Sequence, residues 1–332
     1  MPSDSRLARA QAATRPRPRL VSLSVSLLVA LGLITTTALA DNPELDRELR
    51  LSAMIGDSES ISGLIDQGAS VNAANEFGKT ALMMAVESDS MGAVATLLNR
   101  GADVNGRTVA GCSALTFAAE NGHIGISALL LERGAHVHDR TRSGWDSLMI
   151  ASRYGISEMV RQLLFRGADP RAADKDGRTA LMNAVAAGFP ETAQLLLQAG
   201  ADINGRDNEG DTPLIIAADN GHQPVVGLLL GAGANVNARD ELGMSALSWA
   251  VADGYPEITR MLLGAGADPN VADVDGLTPL MLAASQGDSN LLRLLLAHGA
   301  NPALTDADGQ TAADLARSGG HQAAASILSN DN

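Results

Sequence analysis

The sequence predicts an all-α solenoid: helix pairs repeated along the chain and joined by β-hairpin-like loops. Three observations carry that prediction. Glycine recurs at a fixed step of 33 residues, at Gly78, Gly111, Gly144, Gly177, Gly210, Gly243, Gly276 and Gly309, and a second series from Gly68 to Gly299 keeps the same step with alanine after each member. Leucine holds one column from Leu64 to Leu328 without exception, and alanine holds another from Ala85 to Ala316. Columns in phase over many periods mark a repeat architecture, in which each unit buries its apolar face only against its neighbours. Aromatic residues make up only 2% of the chain while Ala, Leu and Gly abound, which suits small helices in close contact. A length of 332 residues would suggest two globular domains, but a solenoid grows by adding units instead.

Taken in order, residues 1–40 read as a targeting segment. Five arginines (Arg6, Arg9, Arg15, Arg17, Arg19) and one acid, Asp4, precede an uncharged stretch over 20–40 that ends Ala38-Leu39-Ala40. A basic region, a short apolar region and a small-x-small site are the three parts of a secretory signal peptide, so cleavage is expected after Ala40. The most apolar part, Leu27 to Ile34, is shorter than the ~20 residues a transmembrane helix needs. Left uncleaved, the segment would be an inner-membrane anchor; an Arg-rich organellar transit peptide is a third reading. In the first two cases the arginines stay inside, so the body is expected to be periplasmic or secreted.

Residues 41–75 are expected to form an N-terminal capping repeat. Its helix pair, about Pro43 to Gln67, lacks a preceding hairpin and carries Glu44, Asp46, Arg47, Glu48 and Arg50 for a face turned toward water. Residues 76–306 hold seven units of 33 residues. In one of them Thr212 can cap a helix that Pro213 opens, and Asn220-Gly221 ends it. A second helix carries Val225, Val226, Leu228, Leu229 and Leu230 and stops at Gly233-Ala234. An extended Asn235-Val236-Asn237 then leads to the turn at Asp240 and Gly243. Residues 307–332 form a shortened C-terminal cap, which makes nine helix pairs in all.

These units resemble ankyrin repeats, whose pattern runs roughly D-x-x-G-x-T-P-L-H-x-A-A-x-x-G-H through V-x-x-L-L to G-A-D-x-N, and the resemblance covers residues 41–332. One departure is systematic. The histidine after T-P-L is replaced in every unit, by Met83, Thr116, Met149, Met182, Ile215, Ser248, Met281 and Asp314. The resemblance implies a binding protein of the exported bacterial type rather than an enzyme. Such proteins include some that act beside catalases in oxidative-stress defence and some that act as effectors on host proteins; an accessory or stabilising subunit of a periplasmic enzyme is a further possibility.

The net charge is −14, and without the first 40 residues the body holds 19 cations against 37 acids, about −18. So acidic a body repels phosphate backbones, which argues against a nucleic-acid partner. One cysteine, Cys112, leaves no intrachain disulfide and no CxxC site. Asp-x-Asp-Gly at Asp174, Asp273 and Asp306 resembles half a calcium loop, but the remaining ligands are missing and a hairpin turn is expected. His136 and His138 share one face of an extended segment with no third ligand at metal spacing. His123, His222 and His321 fall in a Gly-His column and read as structural. No nucleophile sits beside a base, and no zinc-protease, hydrolase or phosphate-loop motif is present. The sequence therefore predicts a non-enzyme without metal or cofactor, monomeric, with an unidentified protein partner.

In the family that the sequence resembles, hairpin tips and first-helix ends line a concave binding face. Down the column after the tip glycine stand Lys79, Cys112, Trp145, Arg178, Asp211, Met244, Leu277 and Gln310; at the first-helix end stand Ser88, Asn121, Tyr154, Ala187, Asn220, Asp253 and Gln286. Trp145 and Tyr154 are the only Trp and Tyr in these columns and belong to one unit. Trp145 is expected on an exposed tip, whereas Trp249 reads as core. Residues 140–178 hold eight cations against five acids, net +3 within the acidic body. Trp, Tyr and Arg are enriched at binding hot spots, so the expected partner-binding residues are Trp145, Arg142, Arg153, Tyr154, Lys175 and Arg178. The apolar tips at Leu242, Met244 and Leu277 are the alternative.

Overall fold

The computed structural model describes residues 42–330. The targeting segment at 1–40 and the expected new N-terminus at Asp41 lie outside the described residues. Within them, eighteen helices follow one another in nine pairs. The first pair is α1 (Pro43–Ile55) and α2 (Ser58–Asp66), followed by α3 (Ala81–Glu87) with α4 (Met91–Asn99), α5 (Ala114–Asn121) with α6 (Ile124–Glu132), and α7 (Ser147–Arg153) with α8 (Ser157–Phe165). Then come α9 (Ala180–Ala186) with α10 (Pro190–Gln198), α11 (Pro213–Asp219) with α12 (Gln223–Gly231), α13 (Ala246–Ala252) with α14 (Pro256–Gly264), α15 (Pro279–Gln286) with α16 (Ser289–Ala297), and α17 (Ala312–Ser318) with α18 (Gln322–Asn330). First helices pack on first helices of the adjacent units and second helices on second helices. Among the described residues the loops form no strand, only isolated antiparallel bridges at Ala173–Thr179, Arg239–Ser245 and Thr305–Thr311.

The two fixed-step columns of alanine and leucine lie in the core. Every alanine from Ala85 to Ala316 is fully buried, which lets first helices approach closely, and the leucines from Leu97 to Leu295 are fully buried between pairs. Burial of one leucine stabilises by roughly 1.5–3 kcal/mol, so the leucine column alone ties each unit to its neighbours.

The short first helices depend on their caps. Thr80, Ser113, Asp146, Thr179, Thr212, Ser245, Thr278 and Thr311 each accept a bond from the backbone N–H three residues on. The donor residue is the one that replaces the family's histidine. Thr116 and Asp314 complete capping boxes, taking back the N–H of Ser113 (2.8 Å) and Thr311 (3.0 Å). Met83, Met149, Met182 and Met281 are buried and fill the space, and the sulfurs of Met182 and Met281 also accept the N–H of Thr179 (3.5 Å) and Thr278 (3.4 Å). Loss of the histidine thus leaves the helix starts satisfied.

The hairpins are strapped together. The N–H of each tip donates to the carbonyl of the tip before it: Val109 to Phe77 (2.9 Å), Arg142 to Ala110 (2.8 Å), Lys175 to Ser143 (3.2 Å) and so on to Ala307 and Asp275 (3.0 Å). Glycine is required at this crossing. At Gly144, where φ is +90°, a Cβ would come within 3.0 Å of the Lys175 nitrogen. The three Asp-x-Asp-Gly sequences are turns: Asp174, Asp273 and Asp306 each accept two backbone N–H groups of their own hairpin at 2.8–3.0 Å. Asparagines add a second strap. Asn105 accepts from His136 N (2.8 Å) and donates to Gly134 O (3.1 Å), and Asn237 and Asn270 do the same one unit along. His222 and His321 bridge to the carbonyls of Ala186 (3.1 Å) and Ser285 (3.0 Å), and His123 lies 3.1 Å from the Asp89 carboxylate.

Two expectations need correction. The capping helix α1 does turn Glu44, Arg47 and Glu48 outward, but Asp46 is buried, where it accepts from Ser70 N at 2.7 Å, while Leu51, Met54 and Ile55 are exposed. Trp249 lies at the edge of the core rather than within it. It is half-buried and packed against the core, in a column shared with half-buried Met84, Phe117, Ile150 and Leu282 and with buried Ile216, and its indole N–H donates to Asp240 at 2.8 Å. An indole has a polar edge that must find a partner, and a position at the margin of the core supplies one.

Candidate functional site

The third hairpin-bearing unit closes its loop with two bonds between Thr141 and Trp145. Thr141 N donates to the Trp145 carbonyl at 2.8 Å, and Trp145 N donates to Thr141 Oγ1 at 3.1 Å. This pins the Trp145 backbone beside the start of α7. The indole is not an exposed tip as expected; it is half-buried against the core. From the far end of α7, Arg153 reaches back over it, with its guanidinium carbon 5.3 Å from the ring centroid. That is cation–π range. The exposed Tyr154 follows directly.

These residues line one pocket of about 370 Å³. Arg142 and Trp145 come from the hairpin, Ile150, Arg153 and Tyr154 from α7 and its end, and Cys112 and Glu120 from the unit before. The structure therefore brings together four of the six expected binding residues. The exposed Lys175 lies on the next tip, where its backbone N–H bonds to Ser143. Arg178 is turned away from this use: its Nε lies 3.5 Å from the carboxylate of the buried Asp207. Cys112 and Glu120 were not anticipated, although they stand one period of 33 before Trp145 and Arg153.

Charge in this region is sorted by partner. Arg140 donates to Ala173 O (2.7 Å), Arg166 to Leu131 O (3.3 Å) and Arg171 to Gly200 O (2.8 Å), while Arg161 bonds Glu158 (3.2 Å). Arg142, Arg153 and Lys175 have neither a hydrogen bond from their charged groups nor an ion pair among the described residues. Arg47 is the one other cation of which this is true among them. Asp146, next in the chain after Trp145, caps α7. Burial pushes its carboxyl above the usual range, against the opposing pull of the Met149 N–H and of the Arg140 charge.

Of the alternative apolar tips, Met244 is buried and Leu277 half-buried, which leaves Leu242 exposed, with Val274 exposed on the neighbouring tip. Among the described residues no group of His, Cys, Asp or Glu is placed to hold a metal, and no helix is long and apolar enough to cross a membrane.

The model of the family described as ankyrin repeats (3 copies) matches residues 49–141, 148–240 and 243–332. No curated protein compared with the chain matches it. Ankyrin repeats are typically non-catalytic and bind proteins. With that match spanning most of the sequence, and with the paired helices and strapped hairpins in place, the chain belongs to the ankyrin-repeat family and is a scaffold for protein–protein interaction.

Proposed function

We propose that this scaffold is exported and captures its partner outside the cytoplasm, at the pocket around Trp145. The observation that carries the site is a half-buried indole beneath Arg153 with Arg142 lining the same pocket, two cations whose charged groups make no hydrogen bond or ion pair among the described residues. Anchors at binding hot spots are most often Trp, Tyr and Arg, and here all three line one cavity. Arg178, tied to Asp207, is a border residue of this site, and Lys175 extends it onto the next tip. Support for export is the run of five arginines, the uncharged stretch over 20–40 and Ala38-Leu39-Ala40. A periplasmic or secreted location follows from that reading, with an anchored form if the segment is retained.

Pull-down from envelope extract tests the site. The wild-type chain should retain a partner, and Trp145→Ala should lose it, since truncating an aromatic anchor costs about 2 kcal/mol or more in binding. Equal capture by both would place the partner elsewhere on the solenoid. N-terminal sequencing of the envelope protein tests export; the expected first residue is Asp41, and a cytoplasmic chain that begins at Met1 would refute it.

A further inference from the structure

The chemistry of the pocket narrows the partner further, an argument that rests on the scaffold reading above. We propose that the pocket receives an extended acidic segment of a protein, with an apolar side chain set against Trp145 and Ile150 and carboxylates beside it on Arg142 and Arg153. Guanidinium groups bind carboxylates through two parallel N–H bonds, and both arginines have that capacity unspent. The volume of about 370 Å³ sits at the small end of ligand pockets, enough for one or two side chains. Elsewhere the body is strongly acidic and its other cations, Lys175 on the next tip and Arg47 apart, are engaged within the described residues. An acidic ligand is therefore repelled from most of the surface and meets a net positive charge here, two arginines against the single carboxylate of Glu120. With three cations in a body near −18, a nucleic-acid backbone lacks the density of positive charge it needs.

The test is selection from a random displayed-peptide library against the full chain, followed by titration of the enriched peptides as synthetic probes. The expected peptides carry an apolar residue flanked by Asp or Glu. Their binding should quench or shift the tryptophan emission, protect Cys112 from alkylation and weaken with added salt. Arg142→Glu together with Arg153→Glu should reduce affinity by about tenfold or more, with unchanged circular dichroism because both side chains are exposed. Basic or uncharged winners would overturn the inference, as would a preference for phosphorylated over acidic forms. Peptides that bind regardless of the arginine pair, but lose affinity on Leu242→Asp, would overturn it while leaving the scaffold reading intact. If no peptide is enriched the inference fails, and if the envelope pull-down is also empty the scaffold reading fails with it.

Discussion

At the scale of single residues, the units differ most in what each presents to the next. First helices end at a glycine with positive φ, and the residue 34 positions on caps the following second helix. At Gly155 that residue is Phe189, whose ring would lie 2.5–2.7 Å from an added Cβ; at Gly254 it is Asp288, and nothing lies within 4 Å. The backbone is nearly the same at both, with φ of +67° and +72°. Both Gly155→Ala and Gly254→Ala should therefore carry the left-handed penalty of about 1–2 kcal/mol. Gly155→Ala should cost a further 1–3 kcal/mol or so from overpacking against the ring. Chemical denaturation of the two variants measures the difference, and equal losses would show that the Phe189 ring moves aside. One member of this column is not glycine: Asp89 holds φ of +55°, and its carboxylate lies 3.1 Å from His123. The sequence alone marks that position as an exception, but the contact that accompanies it spans two units and has no local signature. The same limit applies to the cations. The net charge of +3 over 140–178 was legible, yet which arginines were available was not. Arg140, Arg166 and Arg171 spend their donors on backbone carbonyls about one unit away, and only the fold puts those carbonyls in reach.

At the scale of elements, helix starts were readable because capping is local: a Thr, Ser or Asp before each apolar run predicts the bond to the third backbone N–H. What these caps cost was not readable, since burial is set by the neighbouring units. The α7 cap shows this. Asp146 occupies a column otherwise filled by Ser and Thr and is 5% exposed, and burial raises its carboxyl pKa. A carboxyl whose pKa is raised on folding costs stability above that value. The cost is relieved as pH falls through the folded pKa toward the unfolded one near 3.9. Asp146→Ser keeps the cap bond and removes the buried charge, but it forgoes the 0.3–1 kcal/mol by which the helix dipole favours a carboxylate. The net gain at pH 7 should be at most about 1 kcal/mol, and it should shrink as pH falls. Melting of both proteins across that range checks it. A variant less stable at pH 7, or a gap that widens on acidification, would mean that the Met149 N–H and Arg140 outweigh burial. Trp145 and Trp249 make the same point about elements. Their columns were legible, but half-burial of both indoles depends on how hairpin and first helix meet, which residue type alone does not state.

At the scale of the molecule, stability should follow the number of units, because the leucine and alanine columns, the tip straps and the asparagine bridges all connect neighbours and none spans distant units. The Asn column is interrupted at His138 and Arg171: Arg171 still donates to Gly200 O at 2.8 Å, whereas His138 makes no such side-chain bridge among the described residues. The units there are held by the packing of α7 on α9 and α8 on α10, the Lys175 to Ser143 strap, and the bonds from Arg140 to Ala173 O (2.7 Å) and between the Ser157 and Thr192 hydroxyls (3.0 Å). A deletion distinguishes a linear stack from a cooperative globule. Removal of residues 210–242, one full period, joins Glu209 to Gly243, keeps every column in phase and spares the pocket. The shortened chain should fold, with a denaturant slope lower by about one ninth, since the slope scales with the surface exposed on unfolding and one of nine pairs is gone. Peptide binding at Trp145 should persist, because the pocket draws its walls only from the second and third hairpin-bearing units. Removal of residues 214–242 instead breaks the phase. It joins Pro213 to Gly243 and sets a hairpin tip where a helix should continue, so it should lose helicity and the sharp transition together. If the out-of-phase deletion folds as well as the in-phase one, the 33-residue register is not what organises the chain. If the in-phase deletion folds but loses the pocket, the site depends on units it does not touch, and coupling along the stack would then have to be part of how it binds.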